Sequence, residues 1–291
     1  FYCGALGVLK GQHAHFNVPI RTVVLDRQSP ESAQMEYGVG SGVTWYSDTL
    51  AEKREWWQKT EFLRRSTCGF DILETVLLED GRWQRQDLHV QRMASAAQYF
   101  SFAWNEPAVL MQLQQCASLA SQGGHMGRWL LKPDGRLEIE LHAAPQPLSQ
   151  VRIRLASRPM VVAEPAFIRF KTTHRPHYDA FAQEADRAFD VLLHDQDGHI
   201  TETCRCNLVV QLGDCLYTPT LNDKHQGNLL AGVYRGSLLG NNTIQERAIG
   251  IDELPSAKAV WLINSLRGWL SVTEIMPPEQ TLYFPESPAP I

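Results

Sequence analysis

Lys171-Thr172-Thr173-His174-Arg175-Pro176-His177-Tyr178-Asp179 and, downstream, Thr201-Glu202-Thr203-Cys204-Arg205-Cys206-Asn207-Leu208 are the stretches from which the rest of the chain is read. The first places one lysine between a strand and a helix expected over residues 178 to about 189. The second belongs to a hairpin: Val191-Leu192-Leu193, a turn at Asp197-Gly198, a strand over residues 200–212, and a further turn at Gly213-Asp214. Many short strands alternating with few helices make the fold class α+β rather than a wound parallel sheet.

Upstream, a region from Thr67 to about Leu148 opens on a strand over residues 70–78 that turns at Glu79-Asp80-Gly81. Its second strand leads into a helix with apolar residues at helical spacing from Asp87 through Phe102. Ala144-Pro145-Gln146-Pro147 is the expected linker to the last region, which starts near Ser149. The first 64 residues hold two strand-like runs (6–9 and 16–25), a glycine-rich turn (38–42) and a charged helix over 48 to about 65. The expected division is therefore 1–64, 65–148 and 149–291. Phe1 is not an initiator methionine and the opening residues read as the middle of a fold, so a fragment of a longer polypeptide is expected.

A hydrophobic content of 44% with 20% charged residues is that of a globular protein, and 291 residues suffice for two ordinary domains. No apolar run reaches the length of a membrane span, and none resembles a signal peptide. The formal charge of -5 argues against a nucleic-acid partner. Cys3, Cys68, Cys116, Cys204, Cys206 and Cys215 are scattered, which suits reduced thiols and a cytoplasmic location better than a disulfide scaffold. Cys204 and Cys206 flank one strand residue and do not have the spacing of a metal or redox pair. His174 and His177 lack a third ligand at metal spacing, so no metal site is expected.

The chemistry rests on Lys171 and Glu202. A lysine amine can hold an aldehyde cofactor as a Schiff base, and a carboxylate can keep a pyridine nitrogen protonated. Together they suggest pyridoxal 5'-phosphate. An exposed strand lysine and a solvent-facing strand glutamate are the plain alternatives.

Residues 70 to about 272 resemble the fold-type IV pyridoxal phosphate enzymes (D-amino-acid aminotransferase-like), and within them the aminodeoxychorismate lyases. The resemblance is carried by Phe70-Asp71-Ile72-Leu73-Glu74-Thr75, His89-Val90-Gln91-Arg92, Lys171-Thr172-Thr173, Thr201-Glu202 with Asn207-Leu208, Leu230-Ala231-Gly232-Val233-Tyr234-Arg235, and Asn264-Ser265-Leu266-Arg267-Gly268. Tyr2-Cys3-Gly4-Ala5-Leu6-Gly7, Phe16-Asn17-Val18-Pro19-Ile20-Arg21-Thr22, Gly38-Val39-Gly40-Ser41-Gly42 and Glu52, Glu55 and Lys59 resemble the C-terminal end of component I of aminodeoxychorismate synthase.

The resemblance implies Lys171 as the Schiff-base lysine and general base, and Glu202 as the partner of the pyridine nitrogen. Thr201 would orient Glu202, and Asn207 would fix the local strand geometry. Arg92, the backbone at Gly232, Val233 and Tyr234, and Ser265 would hold the phosphate. Tyr234 replaces a small hydroxyl residue common there in aminotransferases. Arg267 and Arg175 are candidates for the two carboxylates of a chorismate-derived substrate, with Tyr178 as a hydrogen-bond donor. Arg21 would face a substrate carboxylate in the first region, whereas Glu52, Glu55 and Lys59 are expected as a solvated helix face. The implied reaction converts 4-amino-4-deoxychorismate to 4-aminobenzoate and pyruvate, for folate synthesis. The implied partners are a small-molecule substrate, a second copy of the chain, and the rest of the synthase with its glutamine amidotransferase subunit; no membrane partner is implied. A D-amino-acid or branched-chain aminotransferase would use the same lysine and glutamate, and a non-catalytic docking domain of the synthase is the reading from another class.

Overall fold

The computed structural model describes residues 4–18, 22–29, 32–64, 69–120, 122–161, 164–221, 229–276 and 281–290. Arg21, Cys3 and Cys68 lie outside the described residues. The chain forms two compact units, residues 1–68 and 69–291.

In the first unit, β1 (Leu6–Lys10) and β2 (His13–Asn17) form an antiparallel hairpin, and β3 (Val23–Ser29) pairs with β4 (Ser32–Tyr37). The run expected over 16–25 is thus divided between two separate ribbons. Helix α1 (Thr49–Arg64) is started by Asp48, whose Oδ1 accepts from the Ala51 N–H at 2.8 Å. Its polar face is not simply solvated. Lys59 Nζ donates to the Gly40 carbonyl at 2.9 Å and pairs with Glu55, while Ser41 Oγ donates to Glu52 and accepts from Trp56 Nε1 at 2.7 Å. These bonds tie α1 to the glycine-rich segment.

The second unit contains two sheets. The smaller has the order β6-β5-β7-β8 and is antiparallel throughout, with β5 (Ile72–Glu79), β6 (Arg82–Trp83), β7 (Gly124–Leu131) and β8 (Leu137–Ala143). The β5–β6 turn places Asp80 at φ 47 and Gly81 at φ 73, the paired left-handed conformation that a tight hairpin favours. Helices α2 (Gln86–Phe100) and α3 (Glu106–Leu119) supply Met93 and Leu113 to a core shared with Ile72, Leu78, Trp83, Trp129 and Leu131. The Trp83 ring reaches across this core to donate to the Leu113 carbonyl at 2.9 Å.

The larger sheet has nine strands among the described residues and mixes parallel with antiparallel pairs. Its order is β11 (Ile200–Thr203), β10 (Asp190–His194), β9 (Gln150–Leu155), β16 (Gly268–Met276), β15 (Ala259–Asn264), β12 (Asn207–Leu212), β13 (Cys215–Pro219) and β14 (Gln245–Arg247), with β17 (Leu282–Tyr283) on β16. Strands β10, β11, β12 and β15 are buried on both faces, and the two-residue period sorts their side chains. Leu192, Leu208, Val210, Val260 and Leu262 enter one core; Val191 and Leu193 enter a second; Val209, Trp261 and Ile263 enter a third.

Two expectations are corrected. The strand over 200–212 is broken by a bend at Cys204–Cys206, held by buried Asp190, which accepts from Thr203 Oγ1 at 2.8 Å and the Arg205 N–H at 3.1 Å. The helix after the lysine is short: α5 (Pro176–Ala182) passes into a 3-10 turn at Gln183–Ala185. Proline at the first helical position starts α5 two residues before the expected start at 178.

Candidate active site

Lys171 follows the short helix α4 (Ala166–Arg169) and lies in an extended segment clipped to β5. The Leu73 N–H donates to the Lys171 carbonyl at 2.9 Å, and the Thr173 N–H donates to the Asp71 carbonyl at 2.9 Å. With its backbone fixed on both sides, Lys171 presents its amine to a cavity of about 480 Å³. Burial, with the Arg175 and Arg92 charges, pushes the amine down to about 8, against an opposing pull from Glu74 and Glu202.

Glu202 stands on β11 in the same cavity and is 3% exposed. Its Oε1 accepts from Tyr178 Oη at 2.5 Å and the Leu230 N–H at 3.0 Å; its Oε2 accepts from Asn207 Nδ2 at 3.3 Å. Burial raises the carboxyl to about 7 in spite of these donors and of the Arg175 and Lys171 charges. Thr201 does not orient Glu202, because its buried Oγ1 has no hydrogen-bond partner. Asn207 does, with its amide shared between Glu202 and the Leu230 carbonyl at 2.9 Å.

Arg92, on α2, is held by a group that sequence reasoning passed over. Glu74 is 1% exposed and grips the guanidinium with both oxygens, at 2.7 Å from Nε and 2.6 Å from Nη2. His89, also buried, approaches Glu74 Oε2 through Nδ1 at 2.7 Å. Burial alone would raise Glu74, but the Arg92 charge and the hydrogen bonds from His89 and Arg92 bring it down to about 2. Burial lowers the His89 imidazole, with Glu74 opposing. A third Arg92 bond, Nη1 to the Ala231 carbonyl at 3.0 Å, links the small sheet's helix to the turn ahead of α6 (Val233–Gly240).

Gly232, Val233 and Tyr234 line the cavity where α6 begins, and the first N–H groups of a helix have no intrahelical acceptor. Arg235 turns into the core, donating to Thr218 Oγ1 at 3.3 Å and the Pro219 carbonyl at 2.7 Å, so it anchors α6. Ser265 sits in the turn between β15 and β16, which Asn264 shapes by accepting from the Leu266 and Arg267 N–H groups at 3.1 and 2.8 Å. Arg85 ties the two segments together: its guanidinium lies 4.2 Å from the Tyr234 ring centroid and donates to the Ser265 carbonyl at 3.4 Å.

Arg175 and Arg267 also line the cavity. Arg175 lies 4.4 Å from the Tyr178 ring centroid and donates to the Cys204 carbonyl; Arg267 donates to the Gln146 carbonyl at 2.9 Å. Tyr178 is placed differently from its expected role. Its one hydroxyl proton is committed to Glu202, so it serves the carboxylate rather than a substrate. Cys204 and Cys206 are buried thiols, each pushed up to about 12 by burial.

An amine, a buried carboxylate and several anion donors line one cavity, the set that a carbonyl cofactor bearing an anionic group requires. The family model described as amino-transferase class IV matches residues 71–275, and the chain belongs to that family, with its fold-type IV architecture. The model described as chorismate binding enzyme matches residues 1–65.

A protein of Schizosaccharomyces pombe, provisionally named aminodeoxychorismate lyase, is 28% identical over 72% of this chain and 92% of its own length. The solved structure of a provisionally named amino-acid aminotransferase from Mesorhizobium loti is 28% identical, with a TM-score of 0.64 over 71% of this chain and 100% of that one. That of 4-amino-4-deoxychorismate lyase from Pseudomonas aeruginosa shares the fold at 19% identity, with a TM-score of 0.61 over 75% of this chain and 86% of its own.

The family depends on pyridoxal phosphate, and the residues present fit it. Arg92, the α6 start and Ser265 offer phosphate donors, Glu202 offers a buried acceptor for a ring N–H, and Lys171 offers an amine lowered to about 8. The described residues contain no helix long and apolar enough to cross a membrane.

Proposed function

We propose that the chain is a pyridoxal phosphate-dependent carbon–oxygen lyase that converts 4-amino-4-deoxychorismate to 4-aminobenzoate and pyruvate, a step of folate synthesis. The supporting observation is the meeting of Lys171, Glu202 and the Arg92 clamp in one cavity, in a chain whose first 65 residues match a chorismate-binding family. The bound cofactor supplies an electron sink for the charge left when a proton leaves the carbon bearing the substrate amine.

Arg92, the backbone N–H groups at Val233 and Tyr234, and the Ser265 hydroxyl hold the phosphate, while Glu202 keeps the ring nitrogen protonated. With its amine lowered to about 8, Lys171 is neutral in a useful fraction near neutral pH and removes the proton from the amine-bearing ring carbon. Arg175 and Arg267 hold the two substrate carboxylates. The bond between the ring carbon and the enolpyruvyl oxygen then breaks with its electron pair on oxygen, so the ring becomes aromatic and enolpyruvate leaves, its methylene carbon taking up one proton to give pyruvate. In this reading the enzyme works as a homodimer, beside the rest of the synthase and its amidotransferase.

Incubation of the chain with 4-amino-4-deoxychorismate, without keto acid, tests the reading. Equal release of 4-aminobenzoate and pyruvate, abolished in Lys171→Ala, is the expected result. Cofactor-loaded protein that releases neither product but transfers an amino group to a keto acid would replace the lyase with an aminotransferase. Protein that takes up no cofactor would leave only a docking role.

A further inference from the structure

Tyr178 is 4% exposed and is engaged through its ring, its carbonyl and its hydroxyl. The Arg175 guanidinium lies 4.4 Å from its ring centroid, the His177 ring centroid is 4.3 Å away, and its carbonyl accepts from Cys204 Sγ at 3.6 Å. The hydroxyl so held donates to Glu202 Oε1 across 2.5 Å, a short hydrogen bond. A carboxyl buried this deeply is neutral unless donors hold its charge. The other donors to Glu202 are the Leu230 N–H at 3.0 Å and a long Asn207 bond at 3.3 Å.

The charged and titratable neighbours are Lys171 from the segment clipped to β5, Arg175 and Tyr178 from α5 and its start, and Cys204 from the bend after β11. Of these, Tyr178 alone has a side-chain bond to the carboxylate among the described residues. Oε2, with only the Asn207 bond, retains acceptor capacity for a further donor.

We propose that Tyr178 is a positioning residue for Glu202: its hydroxyl favours the ionised carboxylate and fixes it through Oε1, so that Oε2 accepts the N–H of a protonated pyridine ring. Arg175, stacked on the same tyrosine, joins this unit, so the residue that faces a substrate carboxylate also supports the partner of the ring. The inference rests on the assignment of Glu202 to the ring nitrogen, and its two halves are tested separately.

The first test uses the cofactor-free chain. The infrared band of the protonated Glu202 carboxyl, identified by its loss in Glu202→Gln, is followed against pH. Tyr178→Phe keeps the ring and raises the midpoint by about 1 to 2 units. Replacement of Tyr178 by fluorotyrosine, a stronger donor of the same shape, lowers it; this opposite shift distinguishes donation from a loss of folding. An unmoved midpoint in both variants would overturn the proposal.

The second test follows the ring nitrogen of 15N-labelled pyridoxal phosphate by NMR. The nitrogen is protonated in the parent protein, and Tyr178→Phe lowers its pKa by a similar amount. A shift in the first measurement with an unprotonated ring in the parent protein would retain the Tyr178–Glu202 coupling and overturn the ring assignment, independently of whether lyase activity is found.

Discussion

Replacing Glu74 by glutamine keeps the side chain's shape and removes the charge that Arg92 and His89 share. The size of the effect follows from the carboxyl, held at about 2 against an ordinary value of 4.5. A difference of about 2.5 units corresponds to about 3 kcal/mol of stabilisation by the ionised form. Removing one partner of a buried ion pair costs about 3–5 kcal/mol by an independent measure, so the two routes agree. The sign is set by the depressed pKa. The contribution is complete above about pH 4.5 and disappears as the pH falls towards 2. Urea unfolding of the whole chain at pH 7, and again across the acid range, is the assay. Glu74→Gln loses about 3 kcal/mol at pH 7 and lacks this part of the acid-induced loss. A loss below about 1 kcal/mol, or an acid limb identical to the parent's, would refute the reasoning.

Two further outcomes can be measured on the same protein. Trapping of Lys171 by a simple aldehyde and borohydride rises with pH through a midpoint near 8 rather than 10.5, because burial and the neighbouring arginines favour the neutral amine; a midpoint near 10.5 would place the lysine in water. Gly232→Ala puts a methyl carbon 2.0 Å from Asn207 Oδ1, so Asn207 must give up its bonds to Glu202 and Leu230; a loss of about 1–3 kcal/mol in stability and weaker cofactor binding are expected, whereas unchanged binding would show that Asn207 has room to yield.

How far the site could be read from the chain depended on what held each residue. Lys171, Glu202 and Arg92 stand in ordered motifs, and all three meet in the cavity. Glu74 stood inside one of those motifs without a role, because its meaning lies in a pairing with α2 that no local spacing announces. Asn264 and Arg85 were missed for similar reasons: one shapes a turn, and the other matters only after the small sheet meets α6 and Ser265. Tyr178 was readable as a polar residue near the lysine, but the direction of its hydroxyl depends on the bend that interrupts 200–212. That bend was hidden because Cys204 and Cys206 are apolar enough to continue a strand pattern. Its cause is Asp190, a buried carboxylate on a neighbouring strand. The strand and helix runs of the small sheet were clearer where apolar spacing was regular, whereas α3 and the two strands after it left no distinct signal.

The clip between Leu73 and Lys171 joins positions far apart in the chain, and contacts of that kind close late because a long loop must be ordered first. The lysine's backbone belongs to the small sheet, while the carboxylate beside the cavity belongs to the large one. An amine of lowered basicity therefore emerges only after both halves have docked. In an unfolded chain, without that burial and those neighbouring charges, the same lysine keeps the ordinary basicity of a solvated amine.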